Sequence, residues 1–297
     1  MRNVKLRKNN FEEILKKAQE KKFAVGAFNF STLEQLRAIF EAANTLKSPI
    51  IVQTSPGETD FLGIDLTVGA VKVFRKRYNV SAFLNLDHGK EINIIKQAIN
   101  SGYDMVQFDG SRLSFEENLT KTKEVVDYAQ CCGVLVEGEL GYLRGSSNVY
   151  EESPFVSQKD YTDPDQAEKF VKETQIDLLA ISVGNIHGAL KNKENNPPLD
   201  INRIQEINSK LKNTFLVLHG GSGTSEDDLK QARSAGIVKI NINTDLRNAY
   251  TEALRAELKK NKEQIVPYKY LKEPINKLRK IVEYKIKLFG SNDKTIY

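Results

Sequence analysis

MVQFDGSRLSFEENLTKTKEVVDYAQCCGVLVEGEL, residues 105–140, holds a complete unit of strand, helix and strand. The run at 105–110 is apolar until Asp109 and Gly110, which bring turn chemistry to its end. Ser114 followed by Glu117 has the spacing of a capping box, in which each side chain satisfies the other's free backbone N–H, and it starts a helix. Gly133 stops that helix, and a second β-like run begins at once at 134–140. Parallel strands joined through a helix need cover on both faces, so one such unit implies more.

The repeats are present. β-like runs recur at 23–29 (FAVGAFN), 49–55 (PIIVQTS), 80–87 (VSAFLNLD), 178–184 (LLAISVG), 215–220 (FLVLHG) and 237–243 (IVKININ), making eight with the two above. Helical spacing fills the intervals. Ser31 with Glu34 reads as another capping box ahead of Leu36, Phe40 and Ala43, and Asp163 as an N-cap before Pro164. Eight strands alternating with helices over roughly 250 residues predict an α/β fold, a (β/α)₈ TIM barrel. A doubly wound open sheet is the alternative. No linker-like shift in composition divides the chain, so residues 1–297 are expected to form one domain, with extra C-terminal helices over about 246–297.

Bulk composition narrows the function. Apolar residues at 40% and charged residues at 28% fit a globular protein with a sizeable core. The net charge of +5 is dispersed, with no basic-aromatic stripe, so no nucleic-acid partner is expected. No apolar run reaches the ~20 residues of a membrane span and the N-terminus lacks a signal-peptide core, so a cytoplasmic protein with no membrane association is expected. Cys131 and Cys132 are adjacent and poorly placed to bridge; they read as core filler in a reducing compartment.

The chain has three histidines, and each follows a β-like run and precedes a glycine: His88, His187 and His219. In a barrel they would stand at the C-terminal ends of the third, sixth and seventh strands, where active sites of this fold lie. One such histidine is most simply a hydrogen-bonded structural residue. Three out of three favour a metal centre, and an all-nitrogen ligand set suits Zn²⁺, with Co²⁺ or Mn²⁺ less suited. The following glycines would let backbone pass close to a metal or ligand. Asp87 and Asp109 end their strands beside this mouth. Glu137 and Glu139 point to one side of theirs, where Glu139 could pair with Lys239, orient a ligand, or both. GGSG at 220–223 and NINT at 241–244 follow the last two strands and precede helices, the habitual phosphate cradle of this fold. Zinc polarising a carbonyl and a phosphate anchoring a small sugar are the chemistry these parts suggest.

These motifs, with GAFNFSTLEQLRAIFEAA, LNLDHG, VEGELG, GNIHGA, KININTDLR and KIKLFGS, resemble the class II, metal-dependent fructose-bisphosphate/tagatose-bisphosphate aldolases along nearly the whole chain. The resemblance implies a lyase that cleaves a ketose 1,6-bisphosphate, fructose 1,6-bisphosphate first, to dihydroxyacetone phosphate and an aldehyde. It implies zinc on His88, His187 and His219, and Asp87 as the group that takes the C4 hydroxyl proton. Asp109 and Glu139 match a second or alternative metal site. Asn29, Ser55, Gly188, Gly220, Gly221, Ser222, Asn241, Asn243 and Thr244 match substrate and phosphate positions. A monovalent cation, Na⁺ or K⁺, is implied near the His-Gly carbonyls, and so is a homodimer or homotetramer acting on a small sugar phosphate.

The segment GYLRGSSNVYEESPFVSQKDYT, 141–162, has no regular pattern and reads either as a disordered, solvent-facing insertion or as a lid, whose Glu151 and Glu152 could protonate the enediolate. Two stretches depart from the family. Where it carries Asp-Pro-Arg, this chain has Val266, Pro267 and Tyr268, so Lys269 or another cation would have to meet a second phosphate; and TSPGETDFLG adds Glu58 and Asp60 near that end. A ketose 1-phosphate without the second phosphate, or tagatose 1,6-bisphosphate, is therefore an alternative substrate. A zinc hydrolase and a non-catalytic sugar-phosphate-binding relative are the remaining readings.

Overall fold

The computed structural model describes residues 2–191 and 196–295, with side chains from residue 8 onward. In chain order the elements begin α1 (Arg2–Lys21), β1 (Val25–Asn29), α2 (Leu33–Thr45), β2 (Ile50–Thr54), α3 (Pro56–Leu62), α4 (Ile64–Tyr78), β3 (Ala82–Gly89) and α5 (Ile92–Ser101). They continue with β4 (Met105–Phe108), α6 (Phe115–Cys132), β5 (Leu135–Leu140), β6 (Arg144–Tyr150), α7 (Pro164–Thr174), β7 (Leu178–Ile181), β8 (Ile186–Leu190) and α8 (Ile201–Lys210). The last are β9 (Phe215–Leu218), α9 (Glu226–Ala235), β10 (Ile237–Ile242), α10 (Thr244–Lys260), α11 (Pro267–Tyr270) and α12 (Lys272–Phe289).

Eight parallel strands close a barrel in the order β1-β10-β9-β7-β5-β4-β3-β2. All eight are the runs expected from sequence, and closure excludes the open doubly wound sheet. Alternate residues face the barrel interior, and their chemistry is layered. Ile51, Phe83, Met105, Leu135, Leu178 and Phe215, at or near the strand starts, pack with Phe11, Ile14, Leu15 and Ala18 of α1 in one cluster. Thus α1 plugs the N-terminal end of the barrel, with Phe11 stacked on Phe83 at 4.0 Å between centroids. Two residues further along, the inward positions turn polar: Gln53, Asn85, Gln107 and Glu137 are buried, as is Lys239 on β10. Beyond them come Asn29, Asp87, Glu139, His219 and Asn241, at the open end. The larger apolar cluster lies between the barrel and its ring of helices.

Several local expectations hold. Ser114 and Glu117 make the reciprocal capping box of α6, and the Asp163 side chain accepts from Asp165 and Gln166 N–H at the start of α7. Others need correction. The N-cap of α2 is Thr32, whose side chain accepts from Gln35 N–H, while Ser31 donates its N–H and hydroxyl to the Gln35 side-chain oxygen Oε1. Glu34 has no part in it: Thr32 stands one residue closer to the helix and takes the cap. Cys131 is exposed on the last turn of α6 and does not fill the core, Cys132 is half-buried and packs against the core's edge, and both are free thiols. The C-terminal stretch does not merely append to a finished barrel. α12 packs against α2, α9, α10 and β1, and Ala24 N–H at the entry to β1 donates to the Phe289 carbonyl, so α12 completes the wall.

Two strands lie outside the barrel and were not expected. β6 and β8 form a separate parallel pair above the barrel mouth. β6 lies within the segment read as patternless lid. β8 carries His187, which therefore sits on this small sheet rather than at the end of a barrel strand.

Candidate active site

The three histidines converge. Ring centroids of His88 and His219 lie 4.7 Å apart, of His88 and His187 4.8 Å, and of His187 and His219 6.0 Å. One ring nitrogen from each falls within 4.8 Å of the others. Neighbouring carboxylates set the tautomers. Glu137 is ionised, because the fully buried Lys239 lies 2.7 Å from one of its oxygens; burial opposes the charge, yet Lys239 and His219 hold the carboxyl down at about 2. Its other oxygen is 2.7 Å from His219 Nε2, so that nitrogen carries the proton and donates. His88 Nδ1 faces Asp109 Oδ2 at 3.1 Å and donates likewise. With both rings neutral, the remaining nitrogens, His88 Nε2 and His219 Nδ1, aim lone pairs into the same space, 3.1 Å apart. For His88 and His219, an outer nitrogen tied to a carboxylate is the usual support of a metal ligand.

Electrostatics agree. Burial pushes the pKa of His187 well below its ordinary value and that of His219 below it too, leaving neutral imidazoles. His88 goes the other way: burial opposes its charge, but Asp87, Asp109 and Glu139 lift it to about 10. Those carboxylates call for a cation beside them, and without a metal a proton on His88 serves. Glu139 is raised to about 8, by burial first and then by Asp109. With Asp109 and His88 it forms a second group able to hold a metal ion. The buried partner of Lys239 is Glu137 and not Glu139, which instead accepts from the Gln107 amide at 2.6 Å.

Asp87 stands at the same mouth, buried, with one oxygen accepting from Asn29 Nδ2 and the other from Asn241 Nδ2, each at 3.0 Å. Burial disfavours its charge, but His88, His219, Lys239 and the Asn29 bond together hold its pKa below the ordinary value. The Asn29 amide is oriented in turn by Gln53, which donates to its oxygen at 2.8 Å, and Gln53 accepts from Asn85 at 3.1 Å.

One cavity joins these groups. Asn29, Ser55, Asp87, the three histidines, Gly188, Gly220, Ser222, Asn241, Asn243 and Thr244 all line it. Gly221 does not; its N–H donates to the Asn241 carbonyl and its Cα faces Ile240. The glycines after the histidines have a reason different from the one expected. A Cβ on Gly220 would stand 2.1 Å from the Ile186 carbonyl oxygen, and one on Gly188 2.4 Å from that of Asn148. They make room for neighbouring backbone, not for the metal. Asn196 ties the cradle together by donating to the carbonyls of Gly188 and Ser222 at 3.0 and 2.9 Å. The side-chain oxygens of Asn241 and Asn243 are buried without a partner, acceptors that suit a ligand's hydroxyl groups.

Glu151 and Glu152 are not brought to this cavity. Both are exposed, and Glu151 pairs with Lys191 on the outer side of the β6–β8 sheet. The lid residue that does line the cavity is Ser147. Tyr268 is 71% exposed on α11, in a groove with Glu34, Arg37 and Leu271, and neither it nor Lys269 reaches the cavity. Asp60 is exposed as well. Among the described residues, the cation that does line the cavity is Arg247, bound at 2.5 Å to Glu58, which also accepts from Asn29 and caps α3 through Ser55. Arg247 falls one turn into α10, directly after the NINT motif, and that spacing could have revealed it.

Comparison with known proteins gives a consistent answer. The sequence profile described as "Fructose-bisphosphate aldolase class-II" matches residues 9–294. A fructose-bisphosphate aldolase of Helicobacter pylori is 39% identical over 306 residues, covering 95% of this chain and 98% of its own. A 6-phospho-5-dehydro-2-deoxy-D-gluconate aldolase of Bacillus licheniformis is 36% identical over 290 residues, covering 97% and 96%. Among solved structures, the YdjI aldolase of Escherichia coli K12 superposes with a TM-score of 0.80 at 31% identity, covering 96% of this chain and 98% of that one. A closed parallel barrel, a three-imidazole cluster beside a buried aspartate, and agreement over nearly the full length lead to one family: this chain belongs to the class II fructose-bisphosphate aldolases, which are lyases.

Proposed function

We propose that the protein cleaves a ketose 1-phosphate between C3 and C4, with Zn²⁺ held by His88, His187 and His219. The observation that carries this reading is Asp87, an ionised buried carboxylate at the lip of a three-imidazole cluster. The donor set fits the ion. Tetrahedral zinc with Zn–N near 2.0–2.1 Å separates ligand nitrogens by about 3.3 Å, and His88 Nε2 and His219 Nδ1 are 3.1 Å apart. Co²⁺ or Mn²⁺ would meet the same nitrogens less favourably. The bound metal supplies Lewis-acid polarisation of the substrate carbonyl.

The chain's own residues do the rest. Asp87 takes the C4 hydroxyl proton, the C4–O bond gains carbonyl character, and the C3–C4 electron pair passes towards the polarised C2 carbonyl. Asn29 and Asn241 keep both Asp87 oxygens aimed and charged. Gly188, Gly220, Ser222, Asn243 and Thr244, with the N-terminus of α10, hold the phosphate of the dihydroxyacetone half. A Na⁺ or K⁺ ion would use the second lone pairs of the Gly188 and Ser222 carbonyls, whose first accept the Asn196 amide. Asp109 and Glu139 orient His88, or hold a second ion with it.

Fructose 1,6-bisphosphate is the first substrate by its frequency among relatives, with Arg247 meeting the distal phosphate. One observation favours a second reading. The Glu58 carboxylate already neutralises Arg247, and a half-neutralised guanidinium suits a monoanionic or uncharged distal end better than a phosphate dianion. The Bacillus licheniformis relative acts, by its name, on a phosphorylated sugar acid. Two free thiols suit a reducing cytoplasm. A homodimer or homotetramer would cover exposed apolar residues such as Phe61 and Ile265.

A coupled assay for triose phosphate tests the reading. Fructose 1,6-bisphosphate, tagatose 1,6-bisphosphate, fructose 1-phosphate and 6-phospho-5-dehydro-2-deoxy-D-gluconate would be compared, on the native protein and on Arg247→Met. Triose phosphate is expected from at least one of them, and the substitution is expected to raise KM for substrates with an anionic distal end while sparing fructose 1-phosphate. Release of inorganic phosphate instead would indicate a hydrolase. Tight binding without turnover by zinc-loaded protein would indicate a sensor.

A further inference from the structure

His88 occupies a backbone conformation that histidine rarely adopts. Its φ is +53°, in the left-handed region, at a point where the pairing of β3 with β4 shifts register between Leu86 and Gly89. Something must hold it there. The His88 N–H donates to Gln107 Oε1 at 2.8 Å, and Gln107 Nε2 donates to Glu139 Oε2 at 2.6 Å. Glu139 Oε2 in turn lies 3.7 Å from His88 Nδ1. Gln107 is fully enclosed on β4, which runs between β3, bearing His88, and β5, bearing Glu139.

The orientation of this amide follows from its partners. Reversed, its NH₂ group would face the His88 N–H, donor against donor, inside a closed interior. The carbonyl end therefore belongs to His88 and the amide end to Glu139. The other enclosed amides of this layer behave differently: Asn85 donates to Gln53, and Gln53 passes on to Asn29. Both ends of Gln107, by contrast, meet residues at the histidine cluster.

We propose that Gln107 is a positioning residue of the metal centre: its carbonyl oxygen holds the His88 backbone in the left-handed turn that aims the ring, while its amide fixes Glu139 behind that ring. This rests on the histidine cluster being a metal centre. Methionine at 107 would fill the same space with no acceptor for the His88 N–H. Glutamate would keep an oxygen at that N–H but lose the donor to Glu139. Partners of this kind behind metal ligands typically change metal affinity by about 10- to 100-fold.

The experiment is a Co²⁺ titration in competition with a chelator, read by the visible absorbance of the bound ion, on the wild type, Gln107→Met and Gln107→Glu, with metal-free melting temperatures alongside. Gln107→Met is expected to bind Co²⁺ roughly 10- to 100-fold more weakly and to show an altered spectrum, while Gln107→Glu, which keeps the acceptor and loses the donor, falls between it and the wild type. A purely structural role would lower the metal-free melting temperature and leave affinity and spectrum of the folded protein unchanged, and that result overturns the proposal. So does a loss in Gln107→Glu equal to that in Gln107→Met. Should Gln107→Met fail to fold, Gln107→Glu decides alone: a partial loss of affinity with an altered spectrum supports the assignment, and a site unchanged in both overturns it. Failure of the wild type to take up Co²⁺ would instead strike at the metal-centre reading itself.

Discussion

Asp87 owes its charge to company. Burial alone would neutralise it, and the two amides on its oxygens together with the cationic surroundings keep it ready to accept a proton. Asp87→Asn preserves the shape and removes the acceptor, so kcat is expected to fall by about 10²–10⁴ while Co²⁺ affinity changes little; steady-state kinetics with the Co²⁺ titration would show whether both hold. Acidity supplies a second expectation. In the metal-free protein His88 binds its proton up to about pH 10, against an ordinary 6.5. The stability this contributes is therefore full below about 6.5 and is lost as pH rises towards 10. Glu139, raised from 4.5 to about 8, loses its extra folded-state proton in the same direction. Asp87, Asp109 and Glu137 are held below their ordinary values and titrate under this window. Melting temperatures measured in chelator should fall from pH 6.5 to 10, and metal affinity should climb over that interval because the ion displaces the His88 proton. A flat or rising melting temperature would contradict the assignment.

At the scale of elements, what was legible in the sequence followed local chemistry. Eight apolar runs with turn residues at their ends announced the barrel strands, and Ser114 with Glu117 announced a helix start, because both signals act within a few residues. Ser31 with Glu34 misled because Thr32, one residue on, made the better cap. The β6–β8 pair was hidden for another reason. Its strand at Arg144–Tyr150 is largely exposed and polar, so no apolar alternation marks it, and its pairing partner lies far along the chain. That pairing bears on the lid. β6 already lies against β8, Ser147 faces the cavity, and Glu151 is turned outward to Lys191. A Glu151→Gln/Glu152→Gln double variant is accordingly expected to exchange the C3 proton of dihydroxyacetone phosphate at close to the wild-type rate, measured by loss of label to water. A collapse of that exchange would return the glutamates to the reaction.

Across the whole molecule, the barrel separates two tasks along its axis. Apolar residues at the strand starts, sealed by α1, supply burial, while charged and amide side chains at the strand ends supply chemistry. His88 and His219 could be read in advance because the fold sends strand ends to one mouth, whereas His187 reaches it from the β6–β8 pair. The fixing of their tautomers could not, since the Lys239–Glu137–His219 and Asp109–His88 contacts join residues that only the folded barrel brings near. Arg247 was passed over because its meaning depends on Glu58, 189 residues away in sequence. The central claim is that these histidines and Asp87 form one metal-dependent engine for aldol cleavage. Its most direct measurement is triose phosphate release from the best substrate, before chelation, after it, and after one equivalent of Zn²⁺ is restored. Activity is expected to vanish with the chelator and return with the ion; activity indifferent to the chelator, but abolished by borohydride in the presence of substrate, would contradict it.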